Sequence, residues 1–330
     1  MRIGLAAPLD GAQAILGQQM RDGARFAAGN ANADLHVSDD QCTAQGGQNA
    51  ALELIAAQVD IAVGFLCTES LEAALPVLTQ AGIPVITSGV RSNGITDRRQ
   101  REGWLVWRVA PRADAELAAV ADILVSRWRE ELFAIVDDGT IHGRELAESL
   151  RLSAEVAGLQ PVFVDTFRPQ MENQIGLVGR LRRAGATHVF VGGDRDDAAI
   201  ISRDARELDY ELNVAGGEAL RAEGDIPFAD GTLMIAMPEW SATASEDALA
   251  RFRLEGIFPD GYVVPTHAAT EIAVEAANQA RDRSLPIAEI LGTSTFATLA
   301  GITGFNEIGD LAQNPYRLHR YDRGRFVVIE

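Results

Sequence analysis

The chain has no lysine: all 29 basic residues among its 330 are arginines. That absence removes Walker-type phosphate loops, Schiff-base and pyridoxal chemistry, and lysine general bases. Acidic residues number 47 and the formal net charge is −18, which opposes nucleic acid, whose binding depends on basic patches that neutralise phosphates. The five histidines, His36, His142, His188, His267 and His319, never stand three or four residues apart, so no metal site built from a local pair is expected. There is no G-x-S-x-G elbow, no G-x-G-x-x-G turn after the first strand, no H-E-x-x-H and no C-x-x-C, so enzyme signatures are missing and no cofactor is expected. No run approaches the roughly 18 consecutive apolar residues of a membrane helix.

What is present is ordinary globular composition, 47% hydrophobic and 23% charged, in a chain longer than one hydrophobic core supports. Two lobes are therefore expected. The opening residues from Met1 already read as a first strand, so no leader peptide is visible. Two cysteines occur, Cys42 and Cys67. Bonded, they would close a loop worth about 3 kcal/mol; unbonded, they would be two buried thiols. Their even number leaves both open.

Strand-like and helix-period runs alternate: strands near 2–7, 34–38, 60–64 and 84–87, with helices near 17–30, 44–58 and 70–81. In the 44–58 run, Ala51, Leu54, Ile55 and Gln58 follow helical spacing with one polar miss. A second set begins at a helix over 112–129. Strands near 132–136, 160–166, 188–191 and 213–215 then interleave with helices near 143–157, 175–184 and 196–208. This alternation predicts α/β lobes with parallel-sheet cores. The remainder reads as a strand over 232–237, a break at Pro238, Glu239 and Trp240, helices over 262–281 and 285–291, and closing strands over 316–321 and 325–329. It holds too few strands for a third lobe and is expected to rejoin the first two.

Candidate binding groups stand at strand ends, where open α/β sheets place ligands. Thr68 follows the third strand, in a stretch with Ser70 whose small hydroxyl residues suit a helix N-cap. Ser88, Val90 and Arg91 follow the fourth, and the guanidinium suits a carboxylate or a structural ion pair. His142 follows the strand over 132–136 and could hydrogen-bond a ligand; as a catalyst it would need a nucleophile or an orienting acid, and none is evident. Asp194 opens an acidic run after Gly192 and Gly193, either as a solvated N-cap or as a ligand contact. Glu218, after Gly216 and Gly217, suits an ammonium group or is an exposed loop acid.

The order of these pieces resembles one family over essentially the whole chain. The resemblance rests on Ile3 through Gly11 with Gly17, Gly23 and Ala24, on Cys42 and Cys67 with Thr68 to Ser70, and on Pro84 through Gly89. It continues through Trp107 and Arg108, Gly192 and Gly193, Gly217 and Glu218, and Asp260 to Tyr262. The family is that of the periplasmic solute-binding proteins of ABC transporters, in the type I, branched-chain amino acid (Leu/Ile/Val-binding) group. It implies two Rossmann-like lobes joined by three hinge crossovers, with residues 1–111 and 240–316 in one, 112–239 and 317–330 in the other, and a ligand cleft between them. It implies a Cys42–Cys67 disulfide, a periplasmic location, a monomer, a permease partner in the inner membrane and no catalysis. A cytosolic ligand-sensing regulator of the same fold is the alternative.

By the resemblance, Thr68 and the stretch from Ser88 to Arg91 hold a ligand carboxylate and Glu218 an α-ammonium. Arg91, His142 and Asp194 depart from the threonine and aromatics of the relatives, and Leu16 stands where they place an aromatic at the cleft mouth. A ligand with a polar side group is expected, since buried polar groups left unpaired cost about 1–3 kcal/mol each.

Overall fold

The structure, a computed structural model, describes residues 1–239 and 244–329. It divides into two compact units, Met1–Ala113 with Glu239–Asn314, and Asp114–Pro238 with Pro315–Glu330, so the chain passes from one to the other three times.

In the first unit, strands β1 (Arg2–Ala7), β2 (Asp34–Asp39), β3 (Ile61–Gly64), β4 (Val85–Thr87) and β5 (Val106–Arg108) form a wholly parallel sheet in the order β2-β1-β3-β4-β5. β1, β3 and β4 are buried along nearly their whole length, as strands covered by helices on both faces must be. Ile3, Leu5, Val63 and Ile86 point to one side, into a core with Met20 and Ile272. Ala6, Ala62 and Val85 point to the other, against Leu54, Leu71 and Leu75. The covering helices are α1 (Ala14–Asn30), α2 (Ala44–Ala56) and α3 (Thr68–Gln80), with short α4 (Asn93–Asp97) and α5 (Arg99–Glu102) before β5.

The apolar stripe read from the sequence is the one α2 buries: Ala51 and Leu54 lie in the core and Ile55 packs against it. Gly46, Gly47, Ala50, Ala51 and Leu54 are buried, while Gln58 lies beyond the helix in the left-handed region. A Cβ on Gly47 would stand 2.0 Å from the Ser70 carbonyl oxygen, so glycine here lets α2 and α3 meet backbone to backbone. Hydrophobic periodicity does not count a glycine, so this extension of the packed face to Gly46 and Gly47 carries no apolar signal.

The second unit holds α6 (Ala115–Arg127), β6 (Phe133–Asp137), α7 (Ile141–Val156), β7 (Phe163–Thr166), α8 (Ile175–Ala184), β8 (His188–Gly192), α9 (Arg195–Glu207), β9 (Asn213–Gly216), a 3₁₀ turn (Glu218–Arg221) and β10 (Leu233–Ala236). β13 (Arg317–Asp322) and β14 (Arg325–Val328) complete a seven-stranded sheet, β14-β13-β10-β9-β8-β6-β7. Its interior is parallel, and only the returning β13 and β14 pair antiparallel. Ala134, Val136, Val189 and Val191 face one core, and Phe133, Ile135 and Phe190 the other.

The stretch after β10 belongs largely to the first unit: α10 (Glu246–Leu254), α11 (Val263–Arg283), α12 (Ile287–Thr293) and a hairpin of β11 (Thr295–Thr298) with β12 (Gly301–Gly304). Sequence patterning indicated α11 and α12 but neither α10 nor the hairpin. Trp240, read from the sequence as part of a break, lies outside the described residues.

Candidate functional site

In each sheet the parallel strands reverse their order once, between β1 and β3 in the first and between β6 and β8 in the second. In the first unit the chain runs outward from β1 to β2 and then crosses back to β3; in the second it runs from β6 to β7 and back to β8. The carboxyl ends flanking such a reversal leave a crevice that no connection covers. The predicted residues are described unit by unit.

In the first unit, Leu16 is half-buried in the first turn of α1, downstream of β1, and Thr68 is half-buried at the first position of α3, downstream of β3. The hydroxyl residues after β3 suggested a side-chain cap, but the N-cap is Cys67 and no side chain caps α3. Cys67 is bonded to Cys42, with Cα atoms 5.1 Å apart. Ser70 instead donates to Asp40 Oδ2 at 2.8 Å, and Asp40 Oδ1 accepts from the Cys42 N–H at 3.1 Å. Burial, the largest influence, pushes the Asp40 carboxyl up; the bonds from Cys42 and Ser70 oppose it and Asp39 adds to it. The disulfide, Asp40 and the Gly47 contact together fix the head of α3 against the β2–α2 segment.

After β4, the candidate groups already serve the fold. Ser88 is 1% exposed, and its hydroxyl lies 2.8 Å from that of Thr266 on α11. The Val90 N–H donates to Thr87 Oγ1 at 3.2 Å, and Thr87 Oγ1 donates to the Phe65 carbonyl at 3.1 Å. Arg91 is exposed, and its carbonyl accepts from Ala113 at 2.9 Å.

The frame behind this loop is a buried ionic cluster that sequence reasoning missed. Arg108 donates through Nε to Asp310 Oδ1 at 2.8 Å, through Nη2 to Thr96 Oγ1 at 2.7 Å and through Nη1 to the Ser92 carbonyl at 2.7 Å. Arg112 reaches the other oxygen of Asp310 at 3.0 Å. Arg108 is wholly buried and Asp310 is 3% exposed, and such charges persist in an interior only when paired and fully hydrogen-bonded.

In the second unit, the end of β9 carries Glu218, half-buried, whose Oε2 accepts from the Tyr316 hydroxyl at 3.1 Å. Glu116, on the first turn of α6 and 7% exposed, accepts the Glu218 N–H through Oε1 at 2.7 Å. Its Oε2 stands 3.5 Å from His142 Nε2, an ion pair whenever the imidazole is protonated. A Cβ on Gly217 would fall 2.4 Å from Glu116 Oε1, so the second of the paired glycines is what admits that carboxylate. Glu116 thus links His142 and Glu218. Neither it nor Tyr316 was singled out from the sequence; the demand for glycine at 217 was the one available hint.

Asp194 is exposed at the N-cap of α9, and its side chain forms no capping bond. It stands at the end of β8, between the ends of β9 and β6. The first sheet edge is therefore a row of hydroxyls and backbone N–H groups with one arginine. The second is a row of carboxylates with one histidine.

A family model described as periplasmic binding protein matches residues 1–325. The chain is 25% identical over 346 residues to Leu/Ile/Val-binding protein homolog 3 of Brucella melitensis, covering 99% of this chain and 93% of that protein. Among solved structures it is similar to a putative branched-chain amino acid ABC transporter protein from Rhodospirillum rubrum, with TM-score 0.81 and 18% identity over 100% of this chain and 99% of that one. It is also similar to a Desulfitobacterium hafniense ABC transporter substrate-binding protein in complex with Leu, with TM-score 0.65 and 22% identity over 100% and 99% of the two chains.

Proposed function

The chain belongs to the periplasmic binding protein family, and from that premise we propose that it is an extracytoplasmic solute receptor. It binds a small polar ligand, an amino acid or amino-acid-like carboxylate, and delivers it to an ABC permease in the inner membrane. The observation that carries this reading is Glu218, a half-buried carboxylate at a strand end, steadied by the Tyr316 hydroxyl on one side and by Glu116 through its own N–H on the other. A carboxylate fixed in that way suits an α-ammonium, since a charge-assisted hydrogen bond is strong when its acceptor is already oriented. The head of α3 at Thr68 and Arg91 on the loop after β4 take the ligand carboxylate, for which a helix N-terminus and a guanidinium both have affinity, while Ser88 and Val90 hold that loop.

The Cys42–Cys67 disulfide fits an oxidising environment and so supports the compartment. Among the described residues no helix is long and apolar enough to cross a membrane. The receptor acts as a monomer and releases its ligand chemically unchanged. Relatives named for leucine, isoleucine and valine support an amino-acid ligand.

A thermal-shift panel of amino acids, amides, polyamines and aromatic acids tests the proposal. A ligand at a hundred times its dissociation constant adds about 2.7 kcal/mol of stability, and the best hit is expected to lose that shift in Glu218→Gln. A silent panel, or a hit recovered as a reaction product, overturns the reading.

A further inference from the structure

We infer that the ligand carries a second cationic group besides its α-ammonium and that Asp194 receives it, which makes the ligand class a basic amino acid or a close analogue. The inference rests on the receptor reading above and concerns only the second unit.

The sheet places the groups in register. β9, β8 and β6 are consecutive neighbours, and adjacent strands lie about 5 Å apart. Glu218 at the end of β9 takes the α-ammonium; Asp194, one strand over, meets whatever extends from it along the edge. An aspartate at an N-cap ordinarily spends its carboxylate on the N–H groups of the first turn, but Asp194 makes no such bond and is exposed.

A second observation comes from behind it. Asp197, three residues on and so its neighbour on the helix surface, is 2% exposed. Its Oδ1 accepts from the Gln170 N–H at 2.9 Å, while its buried Oδ2 has no hydrogen-bond partner. Burial chiefly, then Asp194, Asp138 and Asp196, raise its carboxyl above the ordinary range. Asp194, Asp138 and Asp196 thus stand close enough to Asp197 for their charges to act on it.

The arginine next to them is directed elsewhere. Arg195 pairs with Asp196 at 2.8 Å and lies over the Phe228 ring at 4.9 Å. Asp138 spends Oδ1 on the N–H and hydroxyl of Thr140. An apolar ligand side chain brought to this edge would desolvate Asp194 without replacing its hydrogen bonds; a cation replaces them and relieves the field. Discrimination of that kind, against a ligand that leaves a charge unpaired, exceeds what shape alone achieves.

Calorimetric titration of the whole chain with L-arginine, its neutral isostere L-citrulline, and L-leucine tests the inference. L-Arginine is expected to bind at least about tenfold more tightly than L-citrulline. Asp194→Asn, which keeps a competent N-cap residue, is expected to remove that advantage while changing L-citrulline affinity less than about twofold. Equal affinities in the unmodified chain, or an equal loss for both ligands in Asp194→Asn, overturn it. Binding of L-leucine or L-citrulline without preference for L-arginine overturns it while leaving the receptor reading intact. A chain that binds none of the three overturns it too, and the receptor reading falls as well only if the wider panel is silent.

Discussion

The two sheet edges both carry polar candidates and spend them differently. On the first, the Ser88 hydroxyl is matched to Thr266 and the Val90 N–H to Thr87, so the loop is held by the same groups that the sequence offers as ligand contacts. On the second, Glu218 and His142 are steadied by Glu116 and Tyr316, and Asp194 is left to face outward. The first edge is stiff because its polar atoms are satisfied internally. The second gathers acids at some cost to the fold, and it is where the proposal places the choice of ligand.

The comparison can be broken from the largest expected effect downward. Arg108→Ala leaves Asp310 buried without its main partner, and losing one member of a buried pair costs about 3–5 kcal/mol. Urea unfolding is expected to show that loss, and hydrogen exchange to confine it to the first unit. A loss below about 1 kcal/mol would mean that the cluster does not frame the loop. Reduction of the disulfide, or Cys42→Ser with Cys67→Ser, is expected to cost about 3 kcal/mol, again in the first unit. Equal loosening of the second unit would remove the distinction drawn here.

Smaller effects sharpen the comparison. Glu218→Gln removes a charge-assisted bond worth about 1.5–3 kcal/mol, a loss of roughly ten- to hundredfold in affinity for the best panel ligand, with little change in melting temperature. Ser88→Ala is expected to cost about 1 kcal/mol of stability and to alter affinity less than about threefold; a large affinity loss there would restore Ser88 as a direct contact. The smallest effect is pH-linked. Because the folded chain raises the Asp197 carboxyl, the folded state binds its proton more tightly than the unfolded state, so this residue destabilises the fold progressively as pH rises through its range. Asp197→Asn should therefore be more stable than the parent at neutral pH, with an advantage that shrinks on acidification. An advantage independent of pH would show that ionisation is not its source.

Much of the architecture was legible in the residues themselves. β1, β3 and β4 read as buried strands because both faces are covered and, Arg2 aside, every position is apolar or small. Helices such as α8 read correctly because the apolar stripe of Leu177, Val178 and Leu181 is what they bury. What the sequence did not show has a common cause. The close approach of α2 at Gly47 is a backbone contact with Ser70, and the expected cap at Thr68 and Ser70 was displaced because the Ser70 hydroxyl is claimed by Asp40, thirty residues earlier.

By itself, then, the sequence determined local periodicity, the alternation that makes two α/β units, and the strand ends where polar residues collect. It also determined the absence of lysine chemistry. Tertiary structure alone decided who pairs with whom. Arg108 and Asp310 are 202 residues apart, Glu116 and Glu218 are 102 apart, and Tyr316 and Glu218 are 98 apart. Local propensity acts over one turn or one strand, whereas partners at such separations meet only once β5, β9 and the returning β13 have been brought to their sheets. Only that closure turns separate arginines, tyrosines and carboxylates into a fixed frame and a charged edge.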